Sequence, residues 1–183
     1  MTYRLFFLFL CTLMVHDFCY AQDRLVEVHS YYDADIVEWD LFTEESEGKL
    51  EMTWQSTRDK TEWSYEIGEY AGIIRKKWKG DSDIWEISNY DGYTVTFSPK
   101  WRNDNSEWLL DDGEHKLTFR SKYTNDPNYW ETYNSKYGEL RIIMEYENDP
   151  RDWLIDINTL DPDLSFEYTL AASFICLYVT TLR

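Results

Sequence analysis

Cysteine is nearly missing from this chain, and its absence narrows the field. Only Cys11, Cys19 and Cys176 occur, and the first two lie in a segment that reads as a cleavable leader. A single remaining thiol can form no internal disulfide, so stability must come from packing. Cys176 sits in an apolar run, which points to a buried, inert thiol rather than a nucleophile. Histidine is equally scarce: past the leader only His29 and His115 remain, too few to favour Ser-His-Asp or Cys-His chemistry. His29 falls on the polar face of the first strand and His115 beside the turn at Asp111-Asp112-Gly113, so both read as solvated. Basic residues are short as well, with 18 Lys and Arg against 35 Asp and Glu and a net charge of −17. Such a surface repels nucleic acid and anionic lipid, and neither is an expected partner. Cys-x-x-Cys, His-Glu-x-x-His, phosphate-loop and EF-hand patterns are absent, and no cofactor is expected.

Residues 1–21 read as a secretory signal peptide. Arg4 supplies the positive end, an apolar stretch follows, and Cys19-Tyr20-Ala21 makes a small-x-small cleavage site before Gln22. The apolar stretch is shorter than a bilayer crossing requires. A secreted or periplasmic mature chain is therefore expected, with residues 22–183 forming a single domain and no membrane span.

What is abundant is tryptophan, and it is periodic. Trp39, Trp63, Trp85, Trp108, Trp130 and Trp153 are separated by 24, 22, 23, 22 and 23 residues. A second aromatic series, Trp54, Trp78, Trp101, Tyr123 and Tyr146, precedes the next member of the first by seven to nine residues. Within each unit the side chains alternate, as in Trp63, Tyr65 and Ile67 against Ser64 and Glu66, the signature of a strand with one apolar face. Leu117, Phe119 and Tyr123 form such a set too, as do Leu140, Ile142, Met144 and Tyr146. Gly48, Gly68, Gly72, Gly92, Gly113 and Gly138 fall between the arms, where tight turns are expected. Asn-, Asp- and Pro-rich stretches separate the units. Counting one opening arm, five hairpins and one closing arm predicts an up-and-down antiparallel meander of about 12 strands. An even number lets the first and last strands pair, which closes the barrel and removes its edges.

The pattern breaks near the C-terminus. Residues 170–179 (Leu-Ala-Ala-Ser-Phe-Ile-Cys-Leu-Tyr-Val) carry no charge and are apolar all round. A helix over about 164–180, buried on every side, is favoured over a last buried strand. Asp161-Pro162-Asp163 offers its N-cap and first turn. The units of the form Gly72-Ile73-Ile74-Arg75-Lys76-Lys77-Trp78, and the order Trp153-Leu154-Ile155-Asp156 then 170–179, look LURP-one-like. The whole plan resembles the tubby-like barrel of the tubby C-terminal domain, the phospholipid scramblases and the plant LURP-one-related proteins. That resemblance implies an all-β barrel threaded by its terminal helix. It carries over no functional residues, since tubby's phosphoinositide motif and the Pro-rich and Cys-rich scramblase segments are missing. MORN repeats share the period but not the Gly-x-Gly signature.

Functional candidates are few. Inter-unit turns place Asp59, Asp81, Asp83, Asp104, Asp126 and Asp149 at one barrel end, where a ring of oxygens could hold calcium, although turn chemistry and solubility explain them as well. Tryptophans in phase with Ile, Leu and Val read as core rather than as sugar-stacking platforms. Tyr90, Tyr93, Tyr129, Tyr133 and Tyr137 lie nearer turns and are the candidates for an exposed binding rim. The expected function is a non-catalytic module that binds a protein or glycan through its turns or outer face. The alternative is a hydrolase using carboxylates in a surface cleft.

Overall fold

The computed structural model describes residues 23–31, 37–78, 80, 83–123, 126–157 and 159–182. The proposed signal peptide lies outside them. Twelve strands follow in order: β1 (Leu25–Ser30), β2 (Glu38–Thr43), β3 (Glu47–Trp54), β4 (Asp59–Ile67), β5 (Tyr70–Lys76), β6 (Trp85–Asn89), β7 (Thr94–Trp101), β8 (Asp104–Asp111), β9 (Lys116–Ser121), β10 (Tyr129–Thr132), β11 (Arg141–Tyr146) and β12 (Asp149–Asp156). Each pairs antiparallel with its neighbours in sequence, and β1 pairs with β12 through Val28 opposite Trp153, so the meander closes. A helix, α1 (Phe166–Leu177), follows, and its last turn widens to π geometry over Tyr178–Leu182.

Alternation decides which side chains fill the lumen. Trp39, Trp63, Trp85, Trp108, Trp130 and Trp153 are all buried, as are Leu50, Ile74, Ile87, Phe97, Phe119 and Ile142 beside them. All twelve residues of α1 are buried too. Phe174 on the helix meets the rings of Trp63, Trp85 and Phe97 at 5.9, 5.0 and 6.0 Å between centroids. A helix apolar all round has no wet face to show, and the lumen gives it none.

The two ends of the barrel are built differently. At one end, here the Gly rim, Gly68, Gly92, Gly113 and Gly138 take φ of 55°, 91°, 95° and 86° in the β4–β5, β6–β7, β8–β9 and β10–β11 connections. Gly48 and Gly72, expected in turns, lie instead inside β3 and β5. There a Cβ would come within 2.1 Å of the Glu66 carbonyl and 2.2 Å of the Ser88 carbonyl, so neighbouring strands demand the missing side chain. The opposite end is the Asp rim. Its β3–β4, β7–β8 and β11–β12 turns place Arg58, Asn103 and Asn148 at positive φ.

The helix enters at the Gly rim and leaves at the Asp rim. Tyr168 near its start donates to the His115 carbonyl at 2.7 Å. At its far end Tyr178 donates to Asp83 at 2.6 Å, and Lys60 donates to the Leu182 carbonyl at 3.1 Å. The helix starts later than expected. Asp161 closes a turn of its own by accepting from Leu164 N and Asp163 N, and Ser165 takes the N-cap position.

Each described Asp-rim turn solves the problem of burying an indole. Trp63, Trp108, Trp130 and Trp153 donate Nε1–H to the carbonyl three residues earlier, Lys60, Asn105, Pro127 and Pro150, at 3.1, 2.9, 3.0 and 2.8 Å. One residue before that carbonyl stands an aspartate, and its carboxylate accepts the backbone N–H two residues on, as Asp59 does from Thr61 and Asp104 from Ser106. In three of these turns the outgoing strand runs four residues against two on the incoming one: Met52 faces Trp63 while Trp54 faces Asp59, and β7–β8 and β11–β12 repeat this. The extra residues bow the strand outward and aim the carbonyl back at the ring.

Trp108→Ala should cost about 3–5 kcal/mol in a chemical-denaturation titration, the range for deleting a buried ring. Trp108→Phe keeps most of the volume but strands the Asn105 carbonyl, and should lose a smaller share that includes about 1 kcal/mol for the hydrogen bond. A Trp108→Ala loss under about 0.5 kcal/mol, typical of surface sites, would contradict the packing described.

Candidate functional site: an aromatic collar on the Asp rim

The second aromatic series does not join the core. Trp54, Trp78, Trp101, Tyr123 and Tyr146 are 52%, 62%, 58%, 54% and 57% exposed. Strand parity alone would turn them inward, because Leu50 and Met52, or Val95 and Phe97, precede them in phase. They sit at or just past the ends of β3, β5, β7, β9 and β11, where the hairpin tips leave the packed lumen, and at Trp54, Trp101 and Tyr146 the register shift bends the tip. Every odd strand from β3 to β11 thus delivers one large ring to the same end. Consecutive platforms are two strands apart, about 10 Å measured across the sheet.

Polar groups accompany the rings. Trp101 donates to Glu107 at 3.1 Å, and Lys100 Nζ lies 5.6 Å from its centroid. Lys122 Nζ stands 5.7 Å from Tyr123 and 4.2 Å from Tyr129. Turn residues Asp59, Asp104 and Asp149 follow Trp54, Trp101 and Tyr146, and Asp126 follows Tyr123.

Four of the five tyrosines expected to form a binding rim, Tyr90, Tyr93, Tyr133 and Tyr137, stand at the Gly rim, on the β6–β7 and β10–β11 connections. Tyr90 is exposed on the Gly rim. Tyr93, on the same side, is half-buried and donates to Asp112 at 2.6 Å. Tyr133 lies 3.7 Å from the Arg120 guanidinium, and Tyr137 packs on the His115 ring at 5.2 Å. Only Tyr129 stands at the Asp rim, edge-on to Tyr123 at 6.3 Å. The aspartates are likewise occupied. Asp104, Asp126 and Asp149 each accept from the residue two positions on, while Asp83 holds Lys76 and Tyr178. Asp81 lies outside the described residues. Among the described residues no three His, Cys, Asp or Glu side chains gather as metal ligands.

Compared with family models, curated proteins and solved structures, the chain has no match. Any functional reading therefore rests on the geometry.

A second polar cluster lies at the Gly rim, where the helix enters, and sequence reasoning missed it. Glu167, in the first turn of α1, is 2% exposed. It accepts from Asn89 at 3.0 Å and from the Tyr65 hydroxyl at 3.4 Å. Asp112, its side chain 5% exposed, accepts from Tyr93 and from the backbone N–H of Glu114 and His115, and pairs with His115 Nδ1 at 3.0 Å. Burial pushes its carboxyl pKa up, but these donors outweigh burial and hold it well below the usual range. Burial, then the charge of Glu167, pushes the Tyr65 phenol far up. His115 is therefore oriented and partly buried, not solvated. His29 likewise pairs with Glu27 at 3.1 Å and Asp152 at 3.4 Å. The apolar interstice beneath Tyr168, lined by Leu110, Leu117 and Leu164, is too tight for a water molecule. The cluster anchors the helix, and its Tyr65 also borders a groove that reaches Tyr90 on the Gly rim.

A groove of about 490 Å³ runs over the outside of β3, β4 and β5, lined in part by Glu47, Glu51 and Glu66. Glu47 and Glu66 are exposed. Cys176 is fully buried, and burial pushes its thiol pKa up, which keeps it an inert thiol.

Trp78→Ala and Trp101→Ala should leave folding stability within about 0.5 kcal/mol of the parent, as for surface sites. Asp112→Asn should destabilise at neutral pH by roughly 1–3 kcal/mol, because buried donors lose a charged acceptor. The sign is set by a depressed folded pKa: the stabilisation is full above the unfolded value, about 3.9, and fades as pH falls toward the folded one. The gap between parent and Asp112→Asn in urea titrations should therefore close below about pH 4.

Proposed function

We propose that this chain is a secreted, non-catalytic binding module that holds a glycan on the aromatic collar of its Asp rim. The observation that carries the reading is five large rings, each more than half exposed, brought to one end by five successive odd strands. A single exposed ring is ordinary on a protein surface, but five delivered to one end by successive odd strands form an ordered set of platforms. Protein hot spots cluster at the centre of a patch and are ringed by weaker contacts. Here the rings are spread singly, about 10 Å apart, which suits a chain of repeating units better than a compact protein epitope. The lumen, filled by α1, argues against an internal ligand.

The outer wall supports a wet environment. Arg75–Glu86, Arg120–Glu131 and Arg141–Asp156 pair across strands at 2.9, 3.4 and 3.5 Å, and lipid would not tolerate such a face. Among the described residues no helix is long and apolar enough to cross a membrane. The likeness to the tubby-like barrel stays part of the proposal: the closed twelve-stranded meander around a buried terminal helix is compatible with it and lends it no ligand.

Sedimentation with insoluble glucan, chitin and mannan tests the proposal. The chain should be retained by at least one polymer, and the collar variant Trp54→Ala/Trp101→Ala/Tyr146→Ala should lose retention by tenfold or more at unchanged melting temperature, since each stacking ring contributes about 1 kcal/mol. Retention by none of the three, or retention that survives the triple substitution, overturns it.

A further inference from the structure

Between two neighbouring collar tips the Asp rim holds a cleft of about 400 Å³, lined by Asn103, Asn105, Ser121, Asp126, Trp130 and Val179 among others. It lies between the β7–β8 turn, which follows Trp101, and the β9–β10 connection, which carries Tyr123. Val179, from the π turn after α1, reaches its wall, so the helix end closes off the lumen behind it.

Asn105 is the unexplained member. Its backbone carbonyl serves the Trp108 indole, but its side-chain Oδ1 and Nδ2 are both buried with no hydrogen-bond partner. Buried polar atoms normally have partners, and an orphaned amide is a debt that a ligand can settle. Its neighbours are already assigned. Oδ1 of Asp104 takes Ser106 N and Oγ, and Oδ1 of Asp126 takes Asn128 N and Nδ2. Those bonds leave each carboxylate's second oxygen to accept from something else.

We infer that this cleft is a subsite of the collar for one uncharged pyranose of an oligosaccharide, a deepening that rests on the glycan reading above. A sugar hydroxyl both donates and accepts. With the Asn105 side chain turned into the cleft, a hydroxyl accepts from its Nδ2–H and donates to its Oδ1, while a vicinal hydroxyl donates to Asp104 or Asp126. Trp101 and Tyr123 stand at the tips on either side of the cleft without lining it, and offer their faces to the neighbouring sugar units. Two carboxylates at the cleft and a net charge of −17 select against uronic and sulfated sugars.

Isothermal titration of the full mature chain with cellohexaose, chitohexaose, laminarihexaose and mannohexaose tests this, beside the polymer sedimentation. One of the four should bind, and Asn105→Ala should weaken it roughly tenfold, the effect of losing hydrogen bonds in a polar cleft. The same variant should hold or raise the melting temperature of the free protein, because it removes an unpaired buried amide. A carboxylated version of the bound oligosaccharide should bind at least tenfold more weakly, and Asp104→Asn should narrow that difference. If Asn105→Ala binds as the parent does while Trp101→Ala does not, the cleft is no subsite and the collar reading survives. A lower melting temperature with unchanged affinity makes Asn105 structural and overturns the inference. Failure of every hexaose and every polymer overturns both readings together.

Discussion

Six indoles are buried inside one barrel, and a buried N–H left without a partner costs stability. The Asp rim answers that constraint for Trp63, Trp108, Trp130 and Trp153, while Nε1 of Trp39 and Trp85 is buried with no hydrogen-bond partner among the described residues. The described Asp rim meets it with one device: an aspartate, a carbonyl one residue later, and the tryptophan three residues after that. The carboxylate fixes the turn, the turn aims the carbonyl, and the carbonyl receives the indole. Asp-x-x-x-Trp recurs at Asp35–Trp39, Asp59–Trp63, Asp81–Trp85, Asp104–Trp108, Asp126–Trp130 and Asp149–Trp153. Asp59, Asp104, Asp126 and Asp149, four of the aspartates that suggest a calcium ring, are thus turn-builders, each followed four residues later by a buried tryptophan. Spacing to tryptophan, rather than spacing to one another, is the informative quantity.

The helix is the second half of the same solution. Twelve strands enclose more space than inward side chains alone can fill, and an element with no polar face can occupy it. Such a plug gains nothing from local amphipathicity, so its ends determine its depth and rotation. Glu167 and Tyr168 fasten one end to the Gly rim, and Tyr178 with the Leu182 carbonyl fastens the other. A buried carboxylate is tolerated there because it stands at the positive end of the helix dipole and takes a donor from Asn89.

Most of the architecture was legible in the sequence because two periodicities coincide: alternation along strands and a 22–24-residue beat between them. Strand number, closure, the six inward tryptophans and the buried helix all follow from those two. What periodicity could not see was where a strand stops being a strand. Trp54, Trp101 and Tyr146 continue the inward phase in sequence, yet stand past the point where two extra residues on the partner strand bend the tip outward. The displaced helix start has a similar origin, since Asp161-Pro162-Asp163 has cap composition but spends it on an independent turn. The Gly-rim cluster was invisible for another reason. Asn89, Asp112, His115 and Glu167 come from distant stretches, and only closure of the barrel brings them to one mouth.

Core and collar make opposite demands on the same residue type, and the bulge separates them. Inside, an indole needs dry packing and one fixed acceptor. Outside, an indole must keep a face open. A hairpin that simply continued would send both rings of each unit into a lumen already filled by Phe174 and its neighbours, and overpacking of that kind costs stability. By lengthening the outgoing strand at the tip, the β3–β4, β7–β8 and β11–β12 turns keep one ring and release the other. The device that satisfies the buried tryptophan is therefore also the device that exposes its partner, and the collar is a by-product of packing that selection could put to use.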